Sequence, residues 1–478
     1  EYAPFAVLAV VWFLAKFGRA LLPPLFPEFQ TMFDIGSAET GLLFSALMAT
    51  YGLMQFPSGV LADRAGSDRV IAAGLVVTAG AAVLFVVAPS YAVLLVAAAA
   101  FGLGTGVHKT VAMKALSVIY PARRGGALGA FDTVGFLGSA VAPLVLVVLG
   151  ALALDWRVAF GLAAVAGLAF VGLNRLYVKP ALALRAARGN GDDAREADDA
   201  ATDDERGAPD APSVAADGDA DDTPAAADGD GAGDGTADGN GEAAADDADA
   251  STRPDGSGDG GATADDPDSD WGLAQYAREF RRPLVAAFVG AVVLYSTVWN
   301  AVAAFLPLFL IQVKGFSAAT ANLLYSGFMV LGLVQAPAGG ITDRVGEVPV
   351  LVGSYLVALL GIVALLETGS LLAVAVTGGA FGLAMHGVRP ARGSYLLRVF
   401  PDETGGGGLG LVRSLMVLVG SATTAIVGAV ADAVGLGTAF AGVAGLTALA
   451  VVLIVVVAAL DRRAGGAEAD RRAAEHNQ

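Results

Sequence analysis

Long apolar runs dominate the chain, and they fall into two sets of six. The first set lies at approximately residues 4–27, 40–62, 70–88, 91–119, 126–150 and 157–178. The second lies at approximately 283–311, 318–341, 349–366, 370–398, 408–430 and 436–460. At about 1.5 Å per residue, each run is long enough to cross a hydrocarbon core of about 30 Å as a helix. The pattern predicts an all-α membrane protein with twelve transmembrane helices. A hydrophobic content of 55% and a mean hydropathy of +0.63 agree, because a soluble chain of this size would expose too much apolar surface. The first run is too long for a signal peptide and has no small-residue cleavage site.

Between the sets the pattern inverts. Residues 189–270 hold 27 Asp and Glu against 3 Arg, and no Leu, Ile, Phe, Met or Tyr. Such a segment cannot bury enough surface to offset chain entropy, so a disordered linker is expected. Within it, residues 228–233 (DGDGAG) resemble the start of a calcium loop. Ala232 and Gly239 occupy two positions that need oxygen ligands, so specific calcium binding is not expected. The net charge of −17 therefore belongs to the linker; the rest of the chain holds 19 acids and 26 bases. The expected organisation is a six-helix bundle at 1–180, the acidic linker at 181–280, a second bundle at 281–462 and a tail at 463–478.

Loop charge sets the orientation. Arg64, Arg69, Arg123, Arg124, the basic flank at 179–188, Arg281, Arg282, Arg344, Arg462 and Arg463 fall on one side. The other side carries Glu28, Asp34, Glu39, Glu367 and Asp432, with Arg157 and Lys314 as its bases. The positive side of a membrane protein is cytoplasmic, which places both termini and the acidic linker there, in a multi-pass protein of the cell membrane. Arg outnumbers Lys 24 to 5 and the linker acids are mostly Asp, a bias that points to a salt-adapted source such as a halophilic archaeon.

The two halves repeat. QFPSGVLADRAGSDRVI at 55–71 aligns without gaps to QAPAGGITDRVGEVPVL at 335–351, an offset of 280. The same offset joins Pro27 to Pro307, Gly52 to Gly332 and Pro121 to Pro401. Apolar composition alone does not reproduce punctuation residues over such a span, so a six-helix unit has been duplicated. The repeated loop, with Gly59, Leu61, Ala62, Asp63, Arg64, Gly66 and Arg69, resembles the signature of the major facilitator superfamily between its second and third helices. The second half keeps Gly339, Asp343, Arg344 and Gly346, while Glu347 and Pro349 replace the expected bases. The resemblance covers both helical halves and implies a secondary transporter working by alternating access. It implies a gate in which Asp63 faces the start of helix eleven, residues 405–410, and Asp343 faces the start of helix five, residues 125–129. A helix N-terminus attracts a carboxylate. A plain tight turn is the alternative.

Ionisable residues inside apolar runs carry the candidate chemistry. Lys16 and Arg19 are one turn apart in the first run, just before Pro23, Pro24 and Pro27, which should bend or unwind its far end. A charge near the bilayer centre costs about 2.5–3.5 kcal/mol on insertion scales and usually faces a cavity. In the implied fold, helices one, four, seven and ten line that cavity. Helix four contributes His108 and Lys109; helix seven Tyr295, Trp299 and Asn300; helix ten His386, Arg389 and Arg392. Lys109 and Arg389 are mates at the 280 offset. The excess of cations points to an anionic solute held by guanidinium and ammonium contacts. Asp132 is either paired with Lys114 or another base, or a protonation site for coupling to H⁺ or Na⁺; Arg413 stands opposite it in the repeat. Lys114 and Arg398 are expected to snorkel or bond backbone carbonyls.

Other classes find little support. Cysteine is absent, which removes thiol chemistry and cysteine-bound metals. His108 and His386 have no acidic cluster beside them, so no metal is expected. GLGTG at 102–106 mimics a dinucleotide loop but lies inside an apolar run, where small residues serve close helix packing. No nucleotide, cofactor or nucleic-acid motif is present, and an enzyme is not expected. A monomeric transporter of a small anion in the bilayer is the preferred reading. A multidrug or cationic-compound effluxer and a non-transporting membrane sensor remain as alternatives.

Overall fold

A computed structural model describes residues 2–185, 187, 280–400 and 402–476. The acidic segment, with its expected disorder and its residues 228–233, lies outside the described residues. So do the side chains at 122, 402–411 and 464–476.

Twelve long helices run in the expected order. They are α1 (Ala3–Phe33), α2 (Ser37–Ala65), α3 (Ser67–Val87), α4 (Tyr91–Ile119), α5 (Arg124–Ala151), α6 (Arg157–Arg185), α7 (Pro283–Gln312), α8 (Ala318–Val345), α9 (Glu347–Glu367), α10 (Leu371–Val399), α11 (Asp402–Val434) and α12 (Leu436–His476). Eleven of them are long and apolar enough to cross a membrane. The other, α2, has the length, at 29 residues, but is interrupted by Glu39, Thr40, Ser45, Thr50, Gln55 and Ser58. Several of these polar residues meet other helices rather than lipid: Ser45 bonds α11, and Thr50 donates to Ala99 O on α4 at 2.8 Å.

Local chemistry explains the breaks. In α1 the helix stops at Leu21, passes through a 3₁₀ turn at Pro23–Leu25 and resumes at Phe26, where prolines lack the N–H an α-helix needs. Ser317 and Ser370 cap α8 and α10 through their hydroxyls, and the Glu39 carboxylate accepts from Gly36 N–H at the start of α2. The duplicated loop owes its shape to its glycines. Gly66 and Gly346 both have φ of +90°, a left-handed conformation that side chains disfavour. The same turn therefore follows Asp63 and Asp343.

Close helix contacts depend on missing side chains. The three glycines of GLGTG pack in this way. A Cβ on Gly102 would lie 2.1 Å from Leu47 O, one on Gly106 2.5 Å from Tyr51 O, and one on Gly104 2.4 Å from Thr78 Oγ1. These distances lock α4 against α2 and α3, as small residues do in membranes.

The halves meet along one side. Asp432, near the end of α11, accepts hydrogen bonds at 2.7 Å from both Ser37 N–H and Ala38 N–H, the free donors at the start of α2. Deeper in, Ser45 Oγ donates to Ser421 O at 2.5 Å and accepts from Ala425 N–H at 3.0 Å. Gln312 donates to Gln30 at 3.0 Å, Phe26 meets Phe305 edge-on at 5.6 Å, and Ser326 donates to Ala140 O. Gly41 and Gly428 let α2 and α11 touch backbone to backbone. Toward the Asp-Arg loops, a Cβ on Gly125, Gly126, Gly129, Gly339 or Gly340 would meet nothing within 4 Å among the described residues.

Asp432 is the charged member of the closed end. Hydrogen bonds to charged groups contribute about 1.5–3 kcal/mol. Asp432→Ala should therefore shift the protein toward opening at that end. A single cysteine placed at Ser45, buried between α2 and α11 in a chain with no cysteine of its own, should label several-fold faster in the variant. Equal labelling rates would show that the contact holds nothing shut.

Candidate functional site

Helix geometry brings the charges of α1 onto one face. Trp12, Lys16 and Arg19 stand at i, i+4 and i+7. Trp12 is fully buried, stacked on Phe131 of α5 at 5.7 Å and 10°. Gly135 makes this possible, because a Cβ there would lie 2.2 Å from the Trp12 indole nitrogen. Arg19, only 7% exposed, donates from Nε to Ala15 O at 3.2 Å and stacks over Tyr51 at 4.1 Å and Trp12 at 5.1 Å. Its Nη2 is buried with no hydrogen-bond partner among the described residues.

Lys109 of α4 joins this group. Its Nζ lies 5.4 Å from the Trp12 ring and 3.7 Å from Asp132 Oδ1 of α5. His108 donates from Nε2 to Leu8 O at 3.0 Å, which leaves its Nδ1 as a buried acceptor without a partner. Among the described residues, no group of three His, Cys, Asp or Glu is placed to hold a metal ion.

The second half supplies the facing wall. Arg389 stacks over Trp299 at 4.6 Å and Arg392 over Tyr295 at 4.9 Å; Arg392 Nη1 is buried without a partner among the described residues. His386 is buried edge-on to Trp299 at 4.8 Å. Tyr295 donates to Met385 O, Asn300 to Ser296 O at 2.8 Å, and Ser296 to Met416 O at 3.0 Å. The halves meet at Phe136 of α5. Lys16 Nζ lies 4.5 Å from its ring and Arg389 5.5 Å.

Of the residues named from sequence, Lys16, Arg19, His108 and Lys109 gather on Trp12, and Arg389 and His386, both against Trp299, meet them at Phe136; Arg392 and Tyr295 pair with each other, and Asn300 contacts Ser296 and the α11 backbone at Gly420. Several of the rings at the centre were passed over by sequence reasoning. Trp12, Tyr51, Phe131 and Phe136 carried no charge to flag them. The spacing of Trp12 from Lys16 and Arg19 was the available signal. Stacking on a ring occupies a guanidinium face and leaves its in-plane N–H groups for acceptors; Arg19 Nη2 and Arg392 Nη1 have no hydrogen-bond partner among the described residues.

Asp132 pairs with Lys109, one of the bases left open for it, and Lys114 is taken by Asp63 in an exposed ion pair. About one and a half turns separate Lys109 from Lys114, so they face different depths of the bundle. Arg398 bridges Glu347 at 3.1 Å and Asp461 at 3.3 Å. Lys114 and Arg398 are both half-exposed, and among the described residues they reach carboxylates rather than carbonyls. The expected Asp63 contact with residues 405–410 falls on residues outside the description. Asp343, Arg344 and Arg64 are exposed, and among the described residues no atom approaches a Cβ on Gly125 or Gly339 within 4 Å. Gly59 sits 3.8 Å from Thr110 by the same measure. Arg413 is exposed and acts electrostatically on Arg392.

The fold and this cavity can be set beside known proteins. The family model of the Major Facilitator Superfamily matches residues 8–317 and 288–477. The chain belongs to the Major Facilitator Superfamily. Within the superfamily it is 31% identical over 172 residues to the probable sulfoacetate transporter SauU of Cupriavidus necator, covering 36% of this chain and 39% of that protein. It is 27% identical over 163 residues to the hexuronate transporter of Bacillus subtilis, covering 34% and 38%. The chain thus spans about two fifths of the length of these curated relatives. The solved nucleoside transporter NupG superposes with a TM-score of 0.67 at 11% identity, covering 95% of this chain and 99% of that one. That likeness is one of fold.

The Asp63–Lys114 pair is solvent-exposed, and exposed pairs contribute about 0–1 kcal/mol. Asp63→Asn and Lys114→Gln should each leave the melting temperature within a few degrees of wild type. A loss of more than ten degrees in either would mean that the loop is a structural keystone.

Proposed function

We propose that the protein is a secondary active transporter of a small anion, working by alternating access. One observation carries this reading: four cationic side chains from both halves, Lys16, Arg19, Lys109 and Arg389, are linked through the shared rings of Trp12 and Phe136, Arg392 stacks separately on Tyr295, and the carboxylate that pairs among them is Asp132. Buried cations without counter-ions are costly. A bound anion supplies the missing charge. The names of the two curated relatives support the class, since sulfoacetate and hexuronates are both anions at neutral pH.

The positive loops favour a cytoplasmic location for both termini, the linker and the Asp-Arg loops. The end sealed by Asp432 is then external. In this cycle Asp63, Asp343 and the glycines beside them belong to the gate that closes when the Asp432 end opens. Asp132 is the coupling candidate. Protonating it would release Lys109 to the substrate, so anion entry would be coupled to H⁺, with Arg413 as a second charge near the path. The linker serves as a tether, and replacing approximately residues 192–268 by a flexible spacer should leave transport intact.

Truncating one partner of a desolvated charge contact typically costs about 2–5 kcal/mol. Arg389→Gln and Lys109→Gln should each weaken anion affinity by well over tenfold in a protein that still inserts. Arg389→Lys should recover only part, because the planar fork is lost. Thermal-shift and uptake assays with glucuronate, sulfoacetate and phosphate measure this. Normal transport by both neutral variants, or a wild type that prefers cationic dyes to every anion, would overturn the reading in favour of efflux of cationic compounds.

A further inference from the structure

We propose that Trp12 is the positioning residue of the anion site, its buried ring holding Lys16, Arg19 and Lys109 in one cluster; this rests on the anion reading for its purpose but not for its geometry. The three cations come from two helices, and all three centre on the same indole: Lys16 Nζ at 5.4 Å, the Arg19 guanidinium at 5.1 Å and Lys109 Nζ at 5.4 Å. Like charges this close repel strongly where water is scarce. Asp132 offsets only one of them, at 3.7 Å from Lys109. The remaining attraction comes from the electron-rich indole, the strongest of the aromatic partners for a cation.

Trp12 is built to stay in place. It has no exposed surface, so it acts through the cations rather than by offering surface to a solute. Phe131 stacks on it, His108 lies 6.4 Å away, and Gly135 clears the space at the indole nitrogen. That nitrogen is buried with no acceptor among the described residues. A donor that bonds nothing does not explain a tryptophan here; the face of the ring does. Tyr51 and Phe136 complete the arrangement by taking Arg19 at 4.1 Å and Lys16 at 4.5 Å. Each cation therefore lies on a second surface, except Lys109, which has Asp132. The ring at position 12 is the one element all three share.

The chain contains five lysines, Lys16, Lys109, Lys114, Lys179 and Lys314, so amine acylation can be followed site by site by mass spectrometry. Lys314, which donates to Leu366 O at 2.7 Å outside the cavity, serves as the internal reference. Trp12→Leu should change the acylation rates of Lys16 and Lys109 at least threefold relative to Lys314 and weaken glucuronate or sulfoacetate binding at least tenfold. Trp12→Phe, which keeps a ring face and loses only the idle N–H, should hold both within about threefold of wild type. If the leucine variant does not fold, Trp12→Met fills the space without a ring and takes its place. Unchanged lysine reactivity in the ringless variant overturns the proposal. So does a phenylalanine variant as impaired as the leucine one. Altered reactivity in a protein that binds none of the anions leaves the ring's role standing and removes the anion reading instead.

Discussion

Positive charge held inside a membrane protein with too few negative charges is the constraint on which the rest of this structure depends. Lys16, Arg19, Lys109, Arg389 and Arg392 sit on helices that also face lipid, where an uncompensated charge is expensive. The protein offers them aromatic faces before carboxylates. Trp12, Tyr51, Phe136, Tyr295 and Trp299 each carry at least one of them. An aromatic face attracts a cation without occupying its N–H donors. Carboxylates in those places would have neutralised the site permanently. On the proposed reading, the rings stabilise an empty site that is still able to receive an anion.

That solution dictates the packing around it. A buried indole at position 12 needs a neighbour with no side chain, and Gly135 is that neighbour. Arg19 over Tyr51 fixes α2 against α1, while Gly102 and Gly106 bring α4 against α2. Phe136 lies between the halves and is shared by Lys16 and Arg389. The cation cluster therefore cannot be divided into one site per half. On the proposed reading, an anion bridging Lys16 and Arg389 would draw the halves together at Phe136.

Much of the fold could be read in the chain because its signals are physical and local. Twelve apolar runs require twelve helices, a 280-residue offset requires duplication, and prolines at 23, 24 and 27 require the break seen in α1. The duplicated glycines announced the two left-handed turns at Gly66 and Gly346. The cations were legible for the same reason, since a charge within an apolar run stands out. The aromatic half of the site was not. Trp12 and Phe136 are unremarkable in hydrophobic helices until their partners are placed beside them. Pairing was also illegible: whether Asp132 takes Lys109 or Lys114 depends on depth and on α4's contact with α2, where Asp63 claims Lys114 first.

The two ends of the molecule use the same chemistry in different registers. At the closed end the Asp432 carboxylate lies on the free N–H groups that begin α2, so a charge and a helix terminus satisfy each other across the halves. The Asp-Arg loops offer carboxylates of the same kind, Asp63 and Asp343, both exposed and neither bonded to the opposite half among the described residues. A helix terminus can be satisfied by water when open and by a carboxylate when closed, so either end can change state at small cost. The central cations are tied instead to rings, one of which, Phe136, is shared by Lys16 and Arg389 of opposite halves. On the proposed reading, the gates at both ends are therefore nearly balanced, and it is the charge at the centre that decides which of them opens.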